Sequence, residues 1–322
     1  MKVSGTKLVS LLFVFFAVPL VAQVNDTYVI PAAANTPGLY GTRWMTSFSV
    51  FNPQPDYPLT VSVTYLPSAD TTPGKALEVT FTVPANGTAL SDNVLDDLYG
   101  ISGTGALLVA TFPEDNKTVP NNVLARSFLV TSSTYNNSST GTYSQTIPGV
   151  WAGLQNFATD GISSIAHGVR NIDRLGWRSN IGAVNLGRSN VTLNVWIRDR
   201  AGRTIIKNAP LNIPPLSHRQ VAMPAEVNGG SIEFMVDDPT KDAVVFPYVS
   251  TIDRLSGDPT YQTPTLLATA SVLFKMGMPL PTADASIGRK IGLQQARILR
   301  ETSISMGQAH LLETSTGLRL TH

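Results

Sequence analysis

The sequence predicts an all-β protein: two tandem immunoglobulin-like β-sandwich domains, with a short C-terminal tail that is partly helical or weakly ordered. Three observations carry this. Short runs alternate apolar and polar residues with a period of two, which places successive side chains on opposite faces of a strand. Turn-forming clusters separate the runs, among them Asn52-Pro53-Gln54-Pro55-Asp56, Pro73-Gly74, Ala85-Asn86-Gly87 and Ala201-Gly202. The whole pattern is written twice in one order, and 25 glycines and 22 prolines in 322 residues leave little room for long helices.

Residues 1–22 read as a signal peptide. Lys2 and Lys7 precede the apolar run Leu8 to Val18, and Pro19-Leu20-Val21-Ala22 ends in small residues, with cleavage expected after Ala22. The run is shorter than the roughly 18–20 residues needed to cross a bilayer, so no transmembrane span is expected once it is removed. The expected location is extracellular, periplasmic or at the cell surface. Zero cysteines exclude disulfides, thiolate metal sites, cysteine nucleophiles and lipoprotein attachment, so an exported sandwich must hold by its apolar core alone.

The formal charge of +1 is an average. From Gln23 to Pro264 there are 15 basic and 19 acidic residues, and from Thr265 to His322 six basic and three acidic. The near-neutral total argues against nucleic acid as a partner.

The duplication defines the units. Arg43-Trp44-Met45-Thr46-Ser47-Phe48-Ser49-Val50-Phe51-Asn52 lies over Gly176-Trp177-Arg178-Ser179-Asn180-Ile181-Gly182-Ala183-Val184-Asn185 at an offset of 133. Leu59 to Tyr65 lies over Val191 to Ile197, and alternation puts Leu59, Val61, Val63 and Tyr65 on one face. Phe81-Thr82-Val83-Pro84 matches Leu211-Asn212-Ile213-Pro214, Gly105 to Val109 matches Gly230 to Phe234, and Gly141-Thr142-Tyr143 echoes Pro259-Thr260-Tyr261. Offsets shrinking to 118 mean shorter loops in the second copy. The expected units are residues 26–150 and 151–264, with a tail at 265–322. The first has one helical turn, Ser91 to Tyr99, capped by Ser91 and carrying Leu95 and Leu98.

Tyr28-Val29-Ile30-Pro31-Ala32-Ala33-Ala34, Gly41-Thr42-Arg43-Trp44, Gly103-Thr104-Gly105-Ala106-Leu107, Arg126-Ser127-Phe128 and Gly141 to Pro148 resemble uncharacterised secreted proteins of environmental bacteria built from tandem immunoglobulin-like β-sandwich modules. In the second copy, Trp177 to Gly182 and Ser250-Thr251-Ile252-Asp253 fit the same style. The resemblance covers residues 28–264. It implies the fold and export, and it transfers no catalytic residue.

No catalytic motif appears. His167, His218, His310 and His322 fall in no metal-ligand spacing, no serine sits in a Gly-x-Ser-x-Gly elbow, and His218 is expected in an exposed loop after Pro214-Pro215. Asp237, Asp238 and Asp242 are candidate calcium ligands, weighed against a solvated Asp-Pro turn. Trp44 and Trp177 occupy matching sites, which favours a shared structural role, and Trp151 is expected at the junction of the units. Trp196 falls opposite Val195 and Ile197 and is the candidate exposed ring for stacking on a sugar. With Arg198 and Arg200 it forms the candidate ligand face, although the arginine-rich stretch from Arg170 to Arg203 also reads as a salt-bridged sheet surface. In the tail, Leu266 to Phe274 is apolar but too short to span a membrane, and Ala283 to Leu312 reads as a weakly ordered appendage or an amphipathic partner-binding helix.

The function expected is that of a secreted, non-enzymatic interaction or structural protein at the cell exterior, such as an adhesion module, with a cell-surface glycan or protein as partner. The alternatives are a carbohydrate-binding or carbohydrate-processing protein and a strand-exchanging assembly subunit, the last suggested by the extended segment Val24 to Tyr40.

Overall fold

The computed structural model describes residues 26–38, 42–70, 76–112, 126–138, 141–152, 162–237 and 243–268. These form an all-β structure of packed antiparallel sheets with one short α-helix. In the first half the strands are β1 (Thr27–Pro37), β2 (Arg43–Phe51), β3 (Leu59–Pro67), β4 (Leu77–Val83), β5 (Thr88–Ser91), β6 (Gly103–Phe112), β7 (Leu129–Ser138), β8 (Gly141–Thr146) and β9 (Val150–Trp151). In the second half they are β10 (Ile162–Asn171), β11 (Trp177–Asn185), β12 (Val191–Arg198), β13 (Thr204–Ile213), β14 (Ser217–Ala222), β15 (Val227–Asp237), β16 (Val245–Asp253), β17 (Pro259–Gln262) and β18 (Thr265–Ala268).

Alternation dictates the burial. Leu59, Val61, Val63 and Tyr65 of β3 are all buried, as are Val191, Leu193, Val195 and Ile197 of β12. In the second half two sheets, β13-β12-β15-β10-β18 and β14-β11-β16-β17, close on a core that includes Leu193, Val195, Phe234, Ile181 and Val249. In the first half the same arrangement is one continuous sheet, because β1 serves both leaves. Its Thr27–Ile30 segment pairs with β6, the register shifts across Pro31 and Ala32, Ala33–Asn35 pair with β6 again, and Asn35–Pro37 pair with β2. A proline cannot donate a ladder hydrogen bond, so a bulge is the natural place for it. The two leaves bury Ile30, Val61, Val63, Leu107 and Val109 against Phe48, Val50 and Phe128.

The closing strand of the first half straddles the expected boundary at residue 150, and that of the second begins just past residue 264. Val150 and Trp151 pair with Val29 and Tyr28, so Trp151 lies on a strand of the first half, and its neighbours Val150 and Ala152 pack on the apolar cluster that includes Val29, Val184 and Phe246. Thr265–Ala268 pair with Ile165–Ile162 and complete the second. Strands of two to four residues are too short to show a period, and each takes its partner from a hundred or more residues upstream in the chain. The rest of the expected tail, and the expected signal peptide, lie outside the described residues.

The helix α1 (Val94–Tyr99) buries Val94 and Leu95. Ser91 does not cap it: the N-cap position is Asn93, whose side chain makes no capping bond. The Asp97 carboxylate reaches back to accept from the Ser91 hydroxyl at 2.6 Å and from the Asn93 backbone N–H at 3.2 Å. Gly100, at φ 63°, ends the helix in the left-handed region that only glycine adopts freely. Among the described residues no helix is long and apolar enough to cross a membrane.

Candidate functional site

The two halves meet face to face. Val29, Leu66 and Ala106, from the outer side of the β3-β6-β1 leaf, pack against Val184, Leu186 and Phe246 from the outer side of β11 and β16. This third apolar cluster is shared by the halves. At one end, the backbone N–H of Ala69 donates to the His218 carbonyl at 2.8 Å, and Asp70 pairs with Arg219 at 3.2 Å. At the other, the Ser250 hydroxyl donates to Gln145 at 3.2 Å, and Tyr261 of β17 packs on the core of the first half.

Inside this seam the sequence expectation for His218 fails. Far from an exposed loop, His218 lies on β14 beside Val184 and is 2% exposed. The Pro214-Pro215 turn is followed at once by a strand, and no turn signal shows that the far half will cover that strand. Tyr248 crosses the neighbouring strand beside it, and its hydroxyl donates to Gln220 Oε1 at 2.7 Å. With its one proton given away, the hydroxyl accepts from His218 Nε2–H at 2.7 Å. That holds the ring in the Nε2-protonated tautomer and leaves Nδ1 without a partner. Burial alone pulls the His218 pKa down to about 4, and it raises those of Tyr248 and Tyr261 above the usual phenol range. Gly182 makes room for this layer, because a Cβ there would lie 2.1 Å from Tyr248 Cζ.

A cleft of about 430 Å³ opens at the rim of the seam, lined by Ala69, Asp70, Asn190, Thr192, Asn212 and Arg219. Its polar groups largely engage one another: Thr192 donates to the Asn212 side chain at 2.9 Å, and Arg219 to the Asn212 carbonyl at 2.8 Å. A ligand entering here would have to replace these bonds.

The candidate ligand residues sit on the open face of β12 and β15. Trp196 is half-buried and stands opposite Glu233. Arg198 donates to Glu233 at 2.6 Å, so it is engaged along the sheet, while Arg200 is exposed in the turn beyond. Three further arginines are engaged at the surface: Arg203 meets Asp199 at 2.8 Å, Arg254 meets Asp173, and the Arg170 guanidinium lies 5.3 Å over Trp177. Of the candidate calcium ligands, Asp237 is the last residue of β15, opposite Thr192, while Asp238 and Asp242 lie outside the described residues. Among the described residues no three His, Cys, Asp or Glu side chains gather into a metal-ion ligand set.

No protein-family model matches this chain, and no curated protein matches its sequence.

Proposed function

We propose that the chain is an exported, non-enzymatic interaction or structural protein at the cell exterior, built from two immunoglobulin-like sandwiches locked into one body. The observation that supports this is the seam. The shared cluster of Val29, Leu66, Ala106, Val184, Leu186 and Phe246 holds the halves at a set orientation, while Leu90 and Leu129 in one half and Ile205 in the other stay exposed on sheet faces away from it. A body of fixed shape with broad sheet faces suits adhesion or assembly. The one buried histidine among the described residues serves the seam.

The test uses the exported protein, expected to begin at Gln23 by mass spectrometry. It should bind a surface or partner and leave glycan and peptide substrates intact. Turnover of either class overturns the reading.

Carbohydrate binding is the second reading, favoured by the polar cleft at the seam and by Trp196 on an open face. Glycan-array binding lost in both Asn212→Ala and Trp196→Ala would select it. Strand exchange has less support, since β1, the segment that suggested it, is already paired with β6, β9 and β2.

A further inference from the structure

The seam joins two unlike faces, the leaf of β3, β6 and β1 in one half and the leaf of β11, β14 and β16 in the other. Because the strands of the halves correspond one to one, each half also carries the face that the other uses, and among the described residues both of these remain open. Such a contact is heterologous, and its unused faces can repeat it between molecules.

Strand registers show what occupies the open positions. In the second half Val184 lies between His218 and Phe246, and all three are buried in the seam. In the first half the matching residue, Phe51, lies between Thr88 and Leu129. Leu129 is 40% exposed, and Leu90, which matches Gln220, is 72% exposed. The first half thus places apolar side chains on a face whose counterpart is covered by a sandwich leaf.

The other open face has diverged in a complementary way. Leu66 pairs with Ala106 in the seam, and the matching pair in the second half is Arg198 with Ser231. Thr64 opposite Leu108 becomes Trp196 opposite Glu233. This face thus gains the half-buried Trp196 for apolar contact, pairs Arg198 with Glu233, and carries the exposed cation Arg200 at its margin. The Leu90 face is bordered by Asp92, Asp96 and Asp97 with no basic residue in that segment. Over the whole halves, residues 26–152 carry four basic and nine acidic residues, and residues 162–268 carry eleven basic and nine acidic. Unlike faces of opposite charge favour one orientation of encounter.

We propose that the chain self-associates head to tail, the Trp196 face of one molecule seating on the Phe51, Leu90 and Leu129 face of the next, in the manner that joins the halves within one chain. The proposal rests on the reading of the protein as an interaction module and names its partner as a second copy.

Light scattering coupled to size exclusion, on the purified exported chain in low salt and over a range of concentrations, tests it. The mass should climb past two chains and fall back as salt is added. Leu90→Lys sets a cation against the basic face, and Arg200→Glu sets an anion against the acidic one. Both positions are exposed, so folding is not at stake, and each variant alone should stay at the mass of one chain. Mixed one to one, they retain a single compatible pair of faces and should stop at two chains. A wild type that stays single, or stops at two, overturns the proposal, as does either variant assembling like wild type. Protection of Leu90 from labelling in a single-chain sample would make residues 269–322 the occupant, which also overturns it. A single chain that still binds a glycan or cell surface leaves the interaction reading standing, whereas substrate turnover removes that reading itself.

Discussion

Asn52 and Asn185 hold the same corner in the two halves. The Asn52 amide donates to the carbonyls of Val83 and Pro84, each at 3.1 Å, and its Oδ1 accepts from the Gln54 N–H. The Asn185 amide donates to the carbonyls of Ile213 and Pro214 at 3.2 and 3.1 Å, and its Oδ1 accepts from the Gly187 N–H. Both side chains are fully buried. Each ties the end of one strand to the corner where the facing leaf turns, so the asparagine that closes each repeat is a structural clamp.

Replacing either asparagine with alanine takes the amide donor from three carbonyls, Tyr57, Val83 and Pro84 in the first half or Ser189, Ile213 and Pro214 in the second, and the acceptor from one N–H. The expected loss is about 2–4 kcal/mol of unfolding free energy at each site, similar in the two halves because the bonds match. Chemical denaturation of N52A and N185A measures it. A loss below about 0.5 kcal/mol at both would remove the clamp assignment.

Gly182→Ala drives a methyl group into the Tyr248 ring, which is stacked on Tyr261 with centroids 5.2 Å apart. The ring has to leave its bonds to Gln220 and His218, and the expected destabilisation is about 1–3 kcal/mol. Tyrosine fluorescence and thermal unfolding report it. Gly202→Ala serves as a control in an exposed turn, where open space surrounds the Cβ but the backbone lies at φ 82°, so a smaller loss from backbone strain alone is expected.

His218 makes the seam sensitive to acid. Its folded pKa is lowered from 6.5 to about 4, so between those values the unfolded chain binds the proton that the folded chain refuses. Stability therefore falls as the pH drops through 6.5 and continues to fall to about 4, and the neutral ring's contribution is fully present only above 6.5. The whole window corresponds to about 3 kcal/mol. Comparison of denaturation curves for wild type and His218→Gln at several pH values isolates the effect, and identical pH profiles would contradict it.

The Arg198–Glu233 pair lies on a partly solvated sheet surface. A double-mutant cycle with Arg198→Met and Glu233→Gln should give a coupling of about 0.2–1 kcal/mol, reduced by salt. A coupling several times larger, unaffected by salt, would mean that the face is covered in the folded chain.

Much of the fold was legible in the residues. The period of two in Leu59 to Tyr65 and Val191 to Ile197 reports which side of a strand is buried, because the alternation is the burial pattern itself. The correspondence of Trp44 to Asn52 with Trp177 to Asn185 likewise marked matching strands. The closing strands Val150–Trp151 and Thr265–Ala268 left no such trace, being too short for a period. The candidate face was legible only in part: Trp196 does point away from the core, but its neighbour Arg198 proved to be engaged by Glu233, which lies 35 residues further along.

What the sequence by itself determined is local and repetitive: strands, turns, the facing of each side chain and the doubling of the plan. Those follow from periodicity and from residue types with fixed backbone preferences. Only the tertiary structure decided that Val29, Leu66 and Ala106 meet Val184, Leu186 and Phe246, and that His218 is shut into the seam they form. An outward-facing apolar residue reads the same in sequence whether water or another sheet covers it. Which of the two covers it depends on the distant half of the chain, and no local pattern encodes that.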